Sequence, residues 1–474
     1  MTNSSTKKTV TIAISSVAVL GGLIAAPQVL GQSHRAPAAP QAQAKTKPSG
    51  KPGSQPSGTS APGQTSSSAK LSGKTTVTGK KTLNQQTLKA TTANQSAVYV
   101  KKGGNLTLTG SRVTKSGNTT STDNSNFFGQ NAGILVTKGG TATLKNLTET
   151  TQSVGSNAVF ATGTNARVTV KNATIHTTKS SSRGLDATYK GKITATNTNI
   201  TTKGSHSAAL ATDRGGGTVK LTKGTLKTAG DGSPVLYSTG DIVANNVTGT
   251  ATGAEAADIE GSNTITVKNS TLTGYRNNGV MLYQSMSGDS EVGTSVFTMT
   301  NGHLTSKVKS GSKGTSKHTG ALLYVTNTTA KINLTNVKLS NASSTLIRLA
   351  GDRWGTSGSN GGKLTLTAKN QTLKGNVLIA KGSTLKLALT SGSTFTGAIN
   401  AANTTGKSTV TLKGSNTWSV TKNSHITALI STKQALKNIH SNGHNVYYAK
   451  SNQANKWLKG KTYHLTGGGK LIAE

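Results

Sequence analysis

Carboxylates able to act in pairs are scarce in this sequence. Hydrolysis of a glycosidic bond takes two carboxyl groups at a set separation. Eliminative cleavage of an acidic polysaccharide takes a carboxylate cluster for Ca²⁺ and a basic proton acceptor. The plausible suppliers are Asp186, Asp213, Asp231, Asp241, Glu255, Asp258, Glu260, Asp289, Glu291 and Asp352, with no tight aspartate cluster among them. Asp186 and Asp213 lie 27 residues apart and share a face only if the chain repeats at about that interval. A single acid more often holds a turn or offsets a neighbouring cation, as Asp213 does beside Arg214. His440 and His444 lack a supporting carboxylate, and there is neither a His-Glu-x-x-His motif nor a phosphate-binding glycine loop. The chain is read as non-catalytic, with no cofactor and no metal.

Binding chemistry has better candidates. Sugars are held by flat aromatic faces and planar donors, and acidic sugars add a demand for Arg or Lys. Asp352-Arg353-Trp354 sits in a Gly/Ser-rich insertion running through Gly362, where a tryptophan has little core to join. Tyr275 and Arg276 precede an apolar run beginning at Val280. These five residues are the expected ligand contacts. The series Tyr99, Phe160, Tyr237, Tyr283 and Tyr324 is read as an internal stack, from strand alternation.

Positioning such groups falls to a repeat. One segment type alternates apolar and polar, as in Val168-Thr169-Val170, Ile193-Thr194-Ala195, Val219-Lys220-Leu221 and Ile265-Thr266-Val267. Val170, Ala195 and Leu221 are 25 and then 26 residues apart. A second type is more continuously apolar, as in Ala97–Val100, Gly133–Val136, Val280–Tyr283 and Ala321–Tyr324, and suits strands buried on both faces. Coils this short leave no room for the helices of βαβ units. They predict an all-β, right-handed parallel β-helix over residues 75–417, with roughly a dozen coils spanning on the order of 60 Å. Asn146, Asn172, Asn197, Asn246, Asn269, Asn301 and Asn336 recur two residues after the second apolar position. Stacked coils would align them in an amide ladder.

The ends differ from the repeat. Lys7, Lys8 and the apolar run from Val10 to Ala26 read as an export signal over residues 1–31, and residues 32–74 as a basic Pro/Ser/Gly linker. Residues 418–474 are expected to cap the solenoid, with a short helix between Ile426 and Ile439. There is no cysteine, so no disulfide framework supports the fold. Lys and Arg number 53 against 13 acids, a net charge of +40, and the acids fall almost entirely between Asp123 and Asp352. Such a field draws polyanions.

In this pattern, best seen in Val-x-Val-Lys-Asn at 168–172 and Ile-Thr-Val-Lys-Asn at 265–269, the chain resembles the β-solenoid surface adhesins of lactobacilli and related Gram-positive bacteria. Within the wider pectate-lyase-like superfold it is similar to the non-enzymatic members. The resemblance covers roughly residues 75–420. It implies a secreted adhesin or aggregation factor that binds host or plant glycans, or neighbouring cells, often with pH dependence. The charge points to acidic polysaccharides, mucin-type glycans or teichoic acid as partners, and to self-association between cells. No specific nucleic acid is expected and no membrane span in the mature chain. With no wall-sorting motif, attachment to the surface is expected to be non-covalent. The alternative is a lyase or hydrolase of the same superfold.

Overall fold

The computed structural model describes residues 69–474; the expected export signal and nearly all of the expected linker lie outside them. The described chain is a parallel β-helix. Every ladder between its named strands is parallel except the closing pair of Tyr463–His464 with Lys470–Ala473. One sheet holds twelve short strands, from Ser72–Val77 through Val159–Thr162, Leu185–Thr188 and Val280–Tyr283 to Asn376–Ile379. A second holds longer strands such as Thr141–Thr151, Arg167–Thr177 and Lys192–Thr202, and two four-stranded sheets follow toward the C-terminus.

Register explains the core. Val168, Ile193, Val219, Ile242, Ile265, Phe297 and Ile332 pair one above another. One apolar side chain per coil at each inward position thus builds a continuous column at the ~4.8 Å strand spacing. The core reaches from Val77 to Leu471. Two charged residues interrupt it. Lys115 is sealed, with its Nζ donating to the carbonyls of Thr92 and Gly117 at 3.2 and 2.8 Å, and burial lowers it to about 8. Glu149 occupies a position shared in register with Val113 and Ile175. Its carboxyl oxygens have no partner, and burial raises it to about 8.

Each long strand bends at a residue with positive φ. Asn146, Asn172, Asn197, Asn246, Asn269, Asn301 and Asn336 all adopt it, between 48° and 57°. Asparagine tolerates this left-handed region better than other side chains do. Asn172 donates to Asn146 at 3.1 Å and Asn197 to Asn172 at 2.9 Å; Asn301 donates to Asn269 and Asn336 to Asn301, both at 3.0 Å. The run breaks where Lys223 takes the corner, φ 65°, and Asn269 turns to Asn245 instead of Asn246.

Residues 418–474 do not leave the repeat. Thr417–Ser419 stacks between Thr394–Thr396 and Ile439–His440. Ser424–Ile426, Val446–Tyr448 and Lys470–Ala473 stack likewise. In place of the expected helix are strands and one 3-10 segment, Gln434–Asn438, because Trp418, Ile426, Leu436 and Ile439 fill the same core as the preceding coils. The last strand of the second sheet, Ala428–Ile430, is closed by side chains: Asn455 and Trp457 donate to the carbonyls of Thr427 and Leu429 at 2.9 and 3.0 Å. This seals an edge that would otherwise offer unpaired backbone.

Candidate functional site

The outer face of the twelve-stranded sheet gathers most of the unusual side chains. Along its strands, residues alternate between the core and this face. One register column reads Tyr99, Leu135, Phe160, Asp186, Ala211, Tyr237, Asp258, Met281, Tyr324 and Arg348. The aromatic series is therefore not an internal stack. Tyr99 and Phe160 pack in an outer cluster with Ala132 and Leu135, and Tyr324 in another with Met281, Ala321 and Ala350. The runs look continuously apolar in sequence because insertions bury this face too.

The helix Thr122–Phe128 lies over the N-terminal part of the face, capped by Ser121 and ended by Gly129 at φ 72°. Asn157 and Thr188 donate to the carbonyls of Ser125 and Phe127 at 3.0 and 2.8 Å, and Arg183 bonds Asn126. Arg214 stacks 3.7 Å from the Phe127 ring and pairs with Asp289 in the 284–293 loop.

Beneath the helix Asp186 and Asp213 share the face, with Arg183 Nε 2.7 Å from Asp213 and 4.0 Å from Asp186. Burial, then the adjoining Asp213 carboxyl, pushes Asp186 well up. Further along, burial raises Asp258, with neighbouring Glu255 adding to the rise. Glu255 rises to about 7 through burial, opposed by Asn277, which donates to it at 3.0 Å, and by Arg353 and Arg276. Glu260 accepts from the Tyr237 and Tyr283 hydroxyls, both at 3.0 Å, and burial raises it. The acids that look scattered in sequence thus converge, although among the described residues no group is arranged to hold a metal ion.

The two segments singled out for binding also converge. Arg276 and Arg353 both act on Glu255, and the 307–320 loop ties them: Thr315 N–H donates to Asn277 at 2.7 Å while its carbonyl accepts from Arg353. Trp354 stacks on Tyr283 with 4.6 Å between ring centroids, and the Arg353 guanidinium lies 4.1 Å from the Trp354 ring. Asp352 faces inward, accepting from Tyr324 Oη at 2.9 Å and Lys317 N–H at 3.1 Å. It braces the loop. Tyr275 is 47% exposed at the rim, and Arg276 pairs with Asp231 at 2.9 Å.

Sequence reasoning passed over Arg348. It follows Tyr324 in the column, makes no ion pair among the described residues, and has a buried Nε without a partner. Only its outward phase, between Ile347 and Leu349, could have revealed it.

Fold and face together define a class: a parallel β-helix whose first sheet carries a loop-flanked outer surface of arginines, aromatics and buried acids. No protein-family model matches the chain, and no curated protein matches it.

Proposed function

We propose that this is a secreted adhesin or aggregation factor, held non-covalently on an anionic surface, whose first-sheet face binds acidic polysaccharides or glycans. The observation that carries the reading is the patch of Trp354 stacked on Tyr283 with the Arg353 guanidinium over the Trp354 ring, on the same face as Arg348, which makes no ion pair among the described residues. A flat ring with adjacent guanidinium groups suits a sugar that bears a carboxylate or phosphate. The +40 net charge adds long-range attraction.

The reading includes stronger binding in acid. In mild acid Glu255, raised to about 7, is largely neutral while the arginines stay charged; burial raises Asp258, Asp186 and Glu260 as well. As pH rises through about 7, Glu255 ionises, favoured by the Asn277 hydrogen bond and by Arg353 and Arg276, and offsets the positive face. A glycan array probed at two pH values and two salt levels tests this. Acidic glycans should dominate, more strongly at the lower pH; an array won by neutral glycans at both would refute the reading.

The second reading, a polysaccharide hydrolase, draws on Asp186 beside Asp213. Against it, Asp186 has no exposed surface and lies under the helix. Release of products from polygalacturonate by the purified chain would establish it.

A further inference from the structure

A cleft of about 980 Å³ opens away from that face, at the second halves of the long strands. It arises from a break in the sheet. Lys338–Asn341 pairs with His303–Ser306, and Thr372–Lys374 pairs with Thr394–Thr396, but the two do not pair with each other. The first halves of the same coils, Thr329–Thr335 and Lys363–Lys369, remain in register. Turn length is the cause. Lys338–Asn341 reaches Thr345–Leu349 through residues 342–344, whereas Thr372–Lys374 turns into Asn376–Ile379 through Gly375 alone. Gly375 has φ 124°, and a Cβ there would meet Leu346 N and Ser344 O at 3.0 Å. The tight turn draws its strand away from the preceding one.

At the narrow end, the Gln371 side chain replaces the missing ladder. Val337 N–H donates to its Oε1 at 2.9 Å, and its Nε2 donates to the Val337 carbonyl at 2.6 Å. Beyond Gln371 both strand edges open into the cleft. Leu304 is fully buried, but Leu339, its register partner, is only half-buried. The chargeable side chains in the lining are His303, Lys338 and Lys374, with no acid, and neither lysine forms an ion pair among the described residues.

We propose that this cleft is a second binding site, separate from the first-sheet face, for a short stretch of an extended acidic polysaccharide. The proposal rests on the reading that the protein binds such polymers. Lys338 and Lys374 would meet the anionic groups, the open strand edges would bond ring hydroxyls, and Leu339 would pack against a ring's apolar face. The volume lies at the upper end of the ~300–1,000 Å³ typical of ligand sites. A second copy of so basic a chain would be repelled. Sites on two flanks let one molecule join two polymer strands, a route to aggregation that needs no self-association.

Titration calorimetry of the full chain with tetragalacturonate tests this. Two sites per chain are expected. Lys338→Glu/Lys374→Glu should remove one with at least a tenfold loss, Trp354→Ala should weaken the other, and Lys145→Glu/Lys171→Glu, exposed lysines elsewhere on the second sheet, should change neither. Unchanged melting curves would show that the variants fold. One site per chain, lost on Trp354→Ala and indifferent to the Lys338/Lys374 variant, would overturn the cleft proposal and leave the face intact. No binding at all would overturn both. A hexaglutamate peptide captured at the lysine site where tetragalacturonate is not would overturn the assignment to polysaccharide.

Discussion

Trp354 is the side chain on which recognition turns. Stacking and cation–π contacts contribute roughly 0.5–2 kcal/mol each, so Trp354→Ala should weaken glycan binding roughly tenfold by calorimetry without lowering the melting temperature. Asp352, Arg353 and Trp354 were legible because a tryptophan among Gly and Ser has no core to fill. Tyr283 and Tyr324 were misread because both sides of their strands are buried, which erases the polar alternation that marks an outward side chain. Glu149 makes a different prediction. Its carboxyl is raised from 4.5 to about 8 in the fold, so it is bound neutral. The stability this allows is complete below about pH 4.5 and is lost as pH rises through 8, by about 5 kcal/mol at most. Glu149→Gln should flatten that decline in melting curves taken from pH 5 to 9; an unchanged slope would mean the decline has another source.

At the scale of elements, the corner residue governs how the long strands bend. The asparagine phase was readable, since one residue type recurs at one offset from an apolar pair. Lys223 holds a left-handed conformation that favours asparagine and separates two ladder runs. Lys223→Asn should raise the melting temperature by a few degrees, from about 0.5–1 kcal/mol of relieved backbone preference and a new amide bond. Asn301→Ala should lower stability by about 1–3 kcal/mol, because it strains the corner and removes bonds to both Asn269 and Asn336. Asn301→Gly, which keeps the conformation, should cost less. The break between Lys338–Asn341 and Thr372–Lys374 was not legible, because it depends on the length of one turn relative to its neighbour and not on the character of either strand.

For the whole molecule, charge and fold make separable contributions. Net charge alone predicts that protein held on cells is released by 1 M salt at neutral pH, where screening shortens to about 3 Å. Retention should tighten near pH 5, as Glu255, raised to about 7, becomes neutral. Protein that stays on washed cells would require a covalent or lipid attachment instead. Charge was plain from composition, but the convergence of acids and arginines on one face was not, since it arises from coils of unequal length. The central claim is that the face recognises sugar beyond what the field supplies. The most direct test is the tetragalacturonate affinity of wild type and of Arg353→Ala/Trp354→Ala at pH 5 in 1 M salt, with the Lys338→Glu/Lys374→Glu changes present in both to silence the cleft. A residual affinity that the double alanine change abolishes is the predicted result. Equal binding by the two proteins, or none by either, would contradict the claim.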